Sequence, residues 1–191
     1  AVADYNSRLP VMIAGTGLTM ADVLVGLRED GHKGPVLALS PKGFEILPHR
    51  HFDPQPDILE ALVPPYRLHQ LLGLFKKHVR AVSEKGLSGE AIVDAVRSKT
   101  AEIWTGLPIG EKKQFLSHLR HMWGVARHRL PAEIFENISS EISSGMLSIV
   151  PGRILDVDQL ENSAVVTYFN RLNGKTEEAE VGRIINCTGP Q

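Results

Sequence analysis

The chain has 191 residues, 42% of them hydrophobic and 23% charged, with a formal net charge of -1. That balance suits one good-sized domain, or a compact domain with a large insertion, and it excludes a net charge strong enough to give a global reason to expect nucleic acid or an anionic membrane as partner. No apolar run approaches the length of a membrane span, no signal-peptide pattern is present, and the single cysteine, Cys187, allows no internal disulfide. The expectation is a cytoplasmic protein with neither nucleic acid nor membrane as partner.

Val11 to Ala14 is an apolar run between Pro10 and Gly15 and reads as a short buried strand. Leu18 to Asp30 follows as a helix, with Ala21, Leu24, Val25 and Leu27 at helical spacing and Gly31 as its stop. Val36 to Leu39 is a second buried strand, ending at Ser40-Pro41-Lys42-Gly43. Strand, glycine turn, helix and strand in this order make the βαβ unit of a parallel sheet.

The pattern then changes. Asp53 to Pro65 is proline-rich and reads as a linker or a short broken helix. Three helical stretches follow: Tyr66 to Lys85, Ser88 to Trp104 and Gly110 to Trp123. In the first, Leu68, Leu71, Leu72, Phe75 and Val79 form one apolar face; in the second, Ser88 caps a helix that turns Ala91, Ile92, Ala95 and Val96 inward. A fourth helix has Pro131 in its first turn, an apolar stripe of Ile134, Phe135, Ile138 and Ile142, and Gly145 at its close.

The last quarter reads as β: Leu147 to Val150, then a meander of Arg153 to Asp158, Ala164 to Asn170 and Thr176 to Glu180, then Val181 to Cys187. Asn173-Gly174 is the strongest hairpin signal. The expected fold is α/β: a Rossmann-like parallel sheet (residues 1–52 and 145–191) with a large helical insertion (53–144) after the second strand and a β-meander before the last. The chain opens on Ala1 and its last residues run straight out of a strand-like segment, which points to a piece of a longer protein.

The stretch VMIAGTGLTMAD, Val11 to Asp22, carries the chemistry. In a strand–turn–helix the first glycine, Gly15, permits the tight turn. The second, Gly17, lets backbone approach a pyrophosphate, and the helix N-terminus offers N–H donors and a positive dipole end. The third position favours Gly or Ala and here is Met20, a departure that weakens the motif without abolishing it. Candidate binding residues are Gly15, Thr16, Gly17, Leu18 and Thr19. No carboxylate ends the second strand; Ser40 and Lys42 stand there, and a hydroxyl with an ammonium suits the 2′-phosphate of NADP better than the ribose of NAD or FAD. An ordinary exposed turn lysine is the alternative for Lys42.

Eight histidines invite a metal, but His118 and His121 have no further ligands nearby, and arginines crowd them, so no metal site is expected. His49 and Arg50 are candidates to line the same cleft as the glycine turn. Arg127, His128 and Arg129 fit either an anion or cofactor contact or a salt-bridged structural corner. Cys187 reads as a buried strand residue, and Trp104 and Trp123 as packing anchors.

GTGLTMAD, GHKGPVLALSPKG, LPHRH, MWGVARHRLP and the closing IINCTGP together resemble the FAD/NAD(P)-binding protein family, from about Leu9 to Pro190. These are flavoproteins with two dinucleotide-binding domains, distantly similar to flavin-dependent monooxygenases. The resemblance implies that Gly15 opens the second glycine turn, the one for NAD(P), and that the FAD fingerprint lies in a domain absent here. It also implies that Thr188 and Gly189 lie where the chain returns to that FAD domain. The implied chemistry is hydride transfer from nicotinamide to FAD in an oxidoreductase or monooxygenase, with no reaction expected of this chain alone. A non-catalytic dinucleotide-sensing or protein-interaction module on the same scaffold is the competing expectation.

Overall fold

The computed structural model describes residues 8–189. Strand β1 (Val11–Ala14), helix α1 (Leu18–Glu29) and strand β2 (Val36–Ser40) form the βαβ unit, and a two-residue strand β3 (Leu47–Pro48) follows. The helices are α2 (Pro56–Ala61), α3 (Leu68–Glu84), α4 (Glu90–Val96), α5 (Thr100–Gly106), α6 (Ile109–His118) and α7 (Arg120–Arg127). The chain then makes β4 (Arg129–Leu130), α8 (Ala132–Ser143), β5 (Leu147–Gln159), β6 (Ala164–Asn170), β7 (Lys175–Val181) and β8 (Arg183–Asn186). Residues 1–49 with 129–191 make one compact unit and residues 50–128 a second.

The first unit is Rossmann-like. Its six-stranded sheet has the order β7-β6-β5-β2-β1-β8, with β5, β2, β1 and β8 parallel and β6 and β7 antiparallel. Alternation along the parallel strands feeds two cores. Val11, Ile13, Val36 and Ala38 pack with Met20, Leu24 and Leu27 of α1 and Ile138 of α8. Met12 and Leu39 point the other way and pack with Val166, Tyr168 and Val181 of the meander. Helix α1 closes with Gly31 at φ +82 and the His32 N–H donating to the Leu27 carbonyl at 2.9 Å, a Schellman closure that needs a residue free of a Cβ clash. Arg28 of α1 grips Glu141 of α8 through two hydrogen bonds of 2.8 and 2.6 Å and also donates to the carbonyls of His32 and Gly34.

Several element boundaries depart from the sequence reading. Leu147–Val150 and Arg153–Asp158 are one thirteen-residue strand, because Pro151 and Gly152 mark a change of partner and not a break. Up to Pro151 the strand pairs in parallel with β2; from Gly152 it pairs antiparallel with β6. A Cβ at Gly152 would lie 2.3 Å from the Phe169 carbonyl oxygen, so glycine is what lets β6 come in. Val181 belongs to β7, and Cys187 lies just past β8. The hairpin at Asn173-Gly174 is a four-residue loop, with Gly174 at φ +71 and its N–H donating to the Asn170 carbonyl at 2.9 Å.

The second unit is helical around Ile58, Leu62, Tyr66, Leu71, Ile92, Val96 and Ile103. The stretch Ser88 to Trp104 is two helices joined by a 3-10 turn at Arg97–Lys99, where the Thr100 hydroxyl donates to the Val96 carbonyl at 3.2 Å. Gly110 to Trp123 likewise splits, at Leu119 with φ -116. The Glu111 carboxylate accepts the Leu68 N–H at the start of α3 and pairs with Arg67, which holds its carboxyl below the ordinary glutamate range. Among the described residues no helix is long and apolar enough to cross a membrane.

Candidate functional site

The carboxyl ends of β1, β2 and β8 meet where the sheet order turns back on itself: β2 lies on one side of β1, and the last strand, β8, on the other. In open α/β sheets such a switch point leaves a crevice beyond the strand ends. The glycine turn sits there. The Gly15 N–H donates to the Leu39 carbonyl at 2.7 Å, and the Cys187 N–H donates to the Ala14 carbonyl at 2.7 Å. Gly15 has φ +115, and a Cβ on it would stand 2.5 Å from the Cys187 carbonyl oxygen, so both conformation and space demand glycine.

Gly17 is glycine for a different reason. Its backbone is extended, at φ -89 and ψ -171, and a Cβ there would meet nothing within 4 Å. It caps α1 with no side-chain hydrogen bond to the helix, and the first turn carries no acidic residue. The N-terminal N–H groups of Leu18 and Thr19 thus lie at the positive end of the helix dipole with no capping side chain bonded to them from Gly17. Thr19 is exposed and Leu18 half-buried.

Met20, the departure at the third position, is 1% exposed and packs among Val11, Ile13, Ala21 and Ala38. A long unbranched side chain fills the gap between helix and sheet that Gly or Ala would close by nearer approach. It does not lie across the turn.

Thr16 and Ser40 come together: their hydroxyls are 2.9 Å apart, and Ser40 Oγ also accepts the Gly43 N–H at 3.0 Å. With those two bonds made, the Ser40 hydroxyl has capacity for one more. Gly43 has φ +60, and a Cβ on it would be 2.8 Å from the Pro151 nitrogen, so the turn carrying Lys42 is tightly packed. Lys42 itself is exposed, with Nζ 5.7 Å from the Phe44 ring centroid. Thr188 follows β8, and its N–H and hydroxyl both donate to Asn186 Oδ1, at 3.1 and 2.8 Å. Asn186 was missed by the sequence reading; an Asn two residues before a Thr is the signature of such an Asx turn. Gly189 takes φ +76. Pro190, which ends the IINCTGP stretch, lies outside the described residues.

The structure therefore gathers Gly15, Thr16, Gly17, Leu18, Thr19, Ser40, Lys42, Thr188 and Gly189 at or just past the carboxyl ends of three strands and the start of α1. His49 donates its N–H to the Leu130 carbonyl at 2.6 Å beside the β3–β4 pair, and Arg129 is buried in β4. Arg50, Arg127 and His128 belong to the second unit. Among the described residues no group of three or more metal-ligating side chains is assembled. Burial pushes the Cys187 thiol above its ordinary range, which makes it a poor nucleophile.

No family model matches the chain, and no curated protein matches it. Solved structures are similar. One is an ornithine N-hydroxylase of Kutzneria sp. 744, solved with reduced FAD, NADP+ and L-ornithine. The TM-score is 0.52 at 15% identity, over 97% of this chain and 37% of that one. A second is the cadaverine monooxygenase of the desferrioxamine biosynthetic pathway from Erwinia amylovora, bound to FAD, with a TM-score of 0.53 and 8% identity over 96% and 35% of the two chains. A third is an ornithine hydroxylase of Pseudomonas aeruginosa, at 0.50 and 11% over 96% and 37%. The chain spans little more than a third of the length of these enzymes. At such identities the likeness is one of fold, and in fold the chain is the Rossmann-like α/β counterpart of one part of FAD-containing hydroxylases and monooxygenases.

Proposed function

We infer that the chain is the NAD(P)-binding part of a flavin-dependent oxidoreductase, and that NADP is its dinucleotide in preference to NAD. The observation that carries this reading is the contrast between the two turn glycines. Gly15 is sealed against the Cys187 carbonyl, while Gly17 is open at an uncapped helix N-terminus at the switch point. Structure alone needs the first glycine; the second makes sense where another molecule's backbone-close approach needs the room.

The residues present fit the group. Gly17 and the N–H groups of Leu18 and Thr19 would hold the pyrophosphate, with Thr16 steadied by Ser40. The remaining bond of the Ser40 hydroxyl and the Lys42 ammonium would hold a 2′-phosphate, for which an acidic residue at this position would be repulsive. Thr188 and Gly189 would mark the return toward an FAD-binding domain of the longer protein. Bound NADPH supplies a hydride for flavin reduction; this chain's part is to bind and orient it. The competing reading of a non-catalytic module gains nothing from Met20, whose side chain is in the core and not over the turn.

Titration with NADPH and NADH, followed by nicotinamide fluorescence, tests the reading. NADPH is expected to bind at least about tenfold more tightly, and Lys42→Ala to remove most of that difference, as loss of a charge-assisted contact would. Equal affinities for the two cofactors would overturn the roles of Ser40 and Lys42, and no binding of either would overturn the reading as a whole.

A further inference from the structure

The second unit contains a cavity that the dinucleotide reading does not use. Helices α3 to α7 enclose about 690 Å³ lined by Leu71, Phe75, Trp104, Phe115, Met122 and Trp123 among other apolar side chains. That is within the range of small-molecule sites, about 300–1,000 Å³. Its aromatic wall is ordered by edge-to-face contacts: Phe75 with Trp123 at 5.9 Å, Trp104 with Phe115 at 5.8 Å and Phe115 with Trp123 at 6.5 Å. Leu72, Trp104, Leu116 and Met122 remain 37 to 50% exposed, so the helices do not close on one another here.

The charge on the lining is one-signed and confined to one place. Among the described residues Arg97 and Arg127 are its charged lining residues, and no carboxylate lines it. Arg97 donates from Nη2 to the Arg127 carbonyl at 3.2 Å, which brings the two residues to the same end of the cavity. Asp94, behind Arg97, offsets part of its charge at 3.2 Å. Arg127 is exposed and is paired with no carboxylate among the described residues. A long apolar wall with a cationic end complements a linear molecule with an apolar body and one anionic head.

We propose that this cavity binds an aliphatic carboxylate, with the hydrocarbon tail along Phe75, Trp104 and Trp123 and the carboxylate at Arg127 and Arg97. An apolar helix of a partner would cover the same wall, but the single cationic end favours a single terminal anion. This site is independent of the glycine turn and stands or falls without it.

The chain's own chemistry supplies the readout, because its only two tryptophans, Trp104 and Trp123, both line the cavity. Their emission is recorded on the full chain during titration with dodecanoate, dodecanol and dodecyltrimethylammonium, each below its micellar concentration. A saturable change is expected with dodecanoate, at least about tenfold tighter than with dodecanol, and weakest with the cation. Shortening the acid should weaken binding about three- to fourfold per methylene removed. Arg127→Gln should bring dodecanoate to the affinity of dodecanol and leave dodecanol unchanged. Leu116→Glu, at a position already half exposed, should abolish binding of all the acids while thermal unfolding stays cooperative. Equal affinity for the three amphiphiles, no saturable change, or undiminished dodecanoate binding by an Arg97→Gln, Arg127→Gln double variant would overturn the proposal. So would dimerisation through this face, seen as a concentration-dependent sedimentation coefficient that Leu116→Glu removes.

Discussion

The hydroxyls of Thr16 and Ser40 lie 2.9 Å apart, a single hydrogen bond that ties the turn after β1 to the end of β2. Thr16 is buried, so its hydroxyl has no water to fall back on if the partner is lost. Ser40→Ala removes two bonds at once, that to Thr16 and the one accepted from the Gly43 N–H. It is expected to cost about 1–3 kcal/mol, against about 0.5–1.5 kcal/mol for Thr16→Val, which keeps shape and leaves the Gly43 bond in place. Urea denaturation midpoints of the two variants measure the difference; equal midpoints would show that the Gly43 turn does not depend on Ser40.

The two turn glycines should separate under the same substitution. Gly15→Ala meets the Cys187 carbonyl and a positive φ, and should lower stability well beyond the usual surface effect of about 0.5 kcal/mol. Gly17→Ala meets nothing within 4 Å and should leave the unfolding midpoint within about 0.5 kcal/mol of the parent while weakening NADPH binding at least about tenfold. Thermal melts and NADPH titrations on both variants check this. A stable Gly17→Ala protein with undiminished binding would remove that glycine from the site.

Met20 gives a third test. Truncation to Ala leaves a hole between α1 and the sheet and is expected to cost about 2–5 kcal/mol. Met20→Leu, which nearly conserves volume, should cost less than about 1.5 kcal/mol. Met20→Gly, although it restores the small residue usual at this position, should be the worst of the three. A helix that simply settled onto the sheet would show instead as a Gly variant of near-parental stability in chemical denaturation.

Tyr168 makes stability fall at alkaline pH. Burial, then the hydrogen bond to Glu177 and the charge of that carboxylate, push the phenol from 10.0 up to about 12. The folded chain holds this proton more tightly than the unfolded one. Its contribution is therefore complete below about pH 10 and lost as the pH rises through about 12. Tyr66, whose O–H is held by Glu102, shifts in the same direction. Denaturation midpoints followed from neutral to strongly alkaline pH should fall less steeply in Tyr168→Phe than in the parent, with the residual slope further reduced by Tyr66→Phe. An unchanged slope would mean that Tyr168 ionises without cost to the fold.

The βαβ unit was legible in the sequence because its signals are local: an apolar run, two glycines, a helical stripe and Gly31 to stop it. The apolar faces of the longer helices were legible for the same reason. What escaped depended on distant neighbours. The β3–β4 pair joins Leu47–Pro48 to Arg129–Leu130 across the whole helical unit, and two residues carry no periodicity. Pro151-Gly152 looked like punctuation, since nothing nearby says that β2 ends on one side just as β6 begins on the other. The breaks at Arg97–Lys99 and Leu119 cost so few residues that the stripe survives them. At the site, its place at the end of the second strand identified Ser40, but its partnership with Thr16 and the role of Asn186 required the strand ends to be in place.

The pairing of β8 with β1 sets a clock on the molecule. Val11 faces Arg183 and Ala14 faces Asn186, so the first strand finds one of its two neighbours only after the helical unit and the meander have been made. Until then Gly15 has no Cys187 carbonyl to lean on, and the turn has a floor but no wall. A ribosome-bound chain carrying everything up to Val181 would own every residue of the glycine turn and still lack its shape. Competence of the turn therefore waits on β8, a strand that follows the helical unit and the meander in sequence.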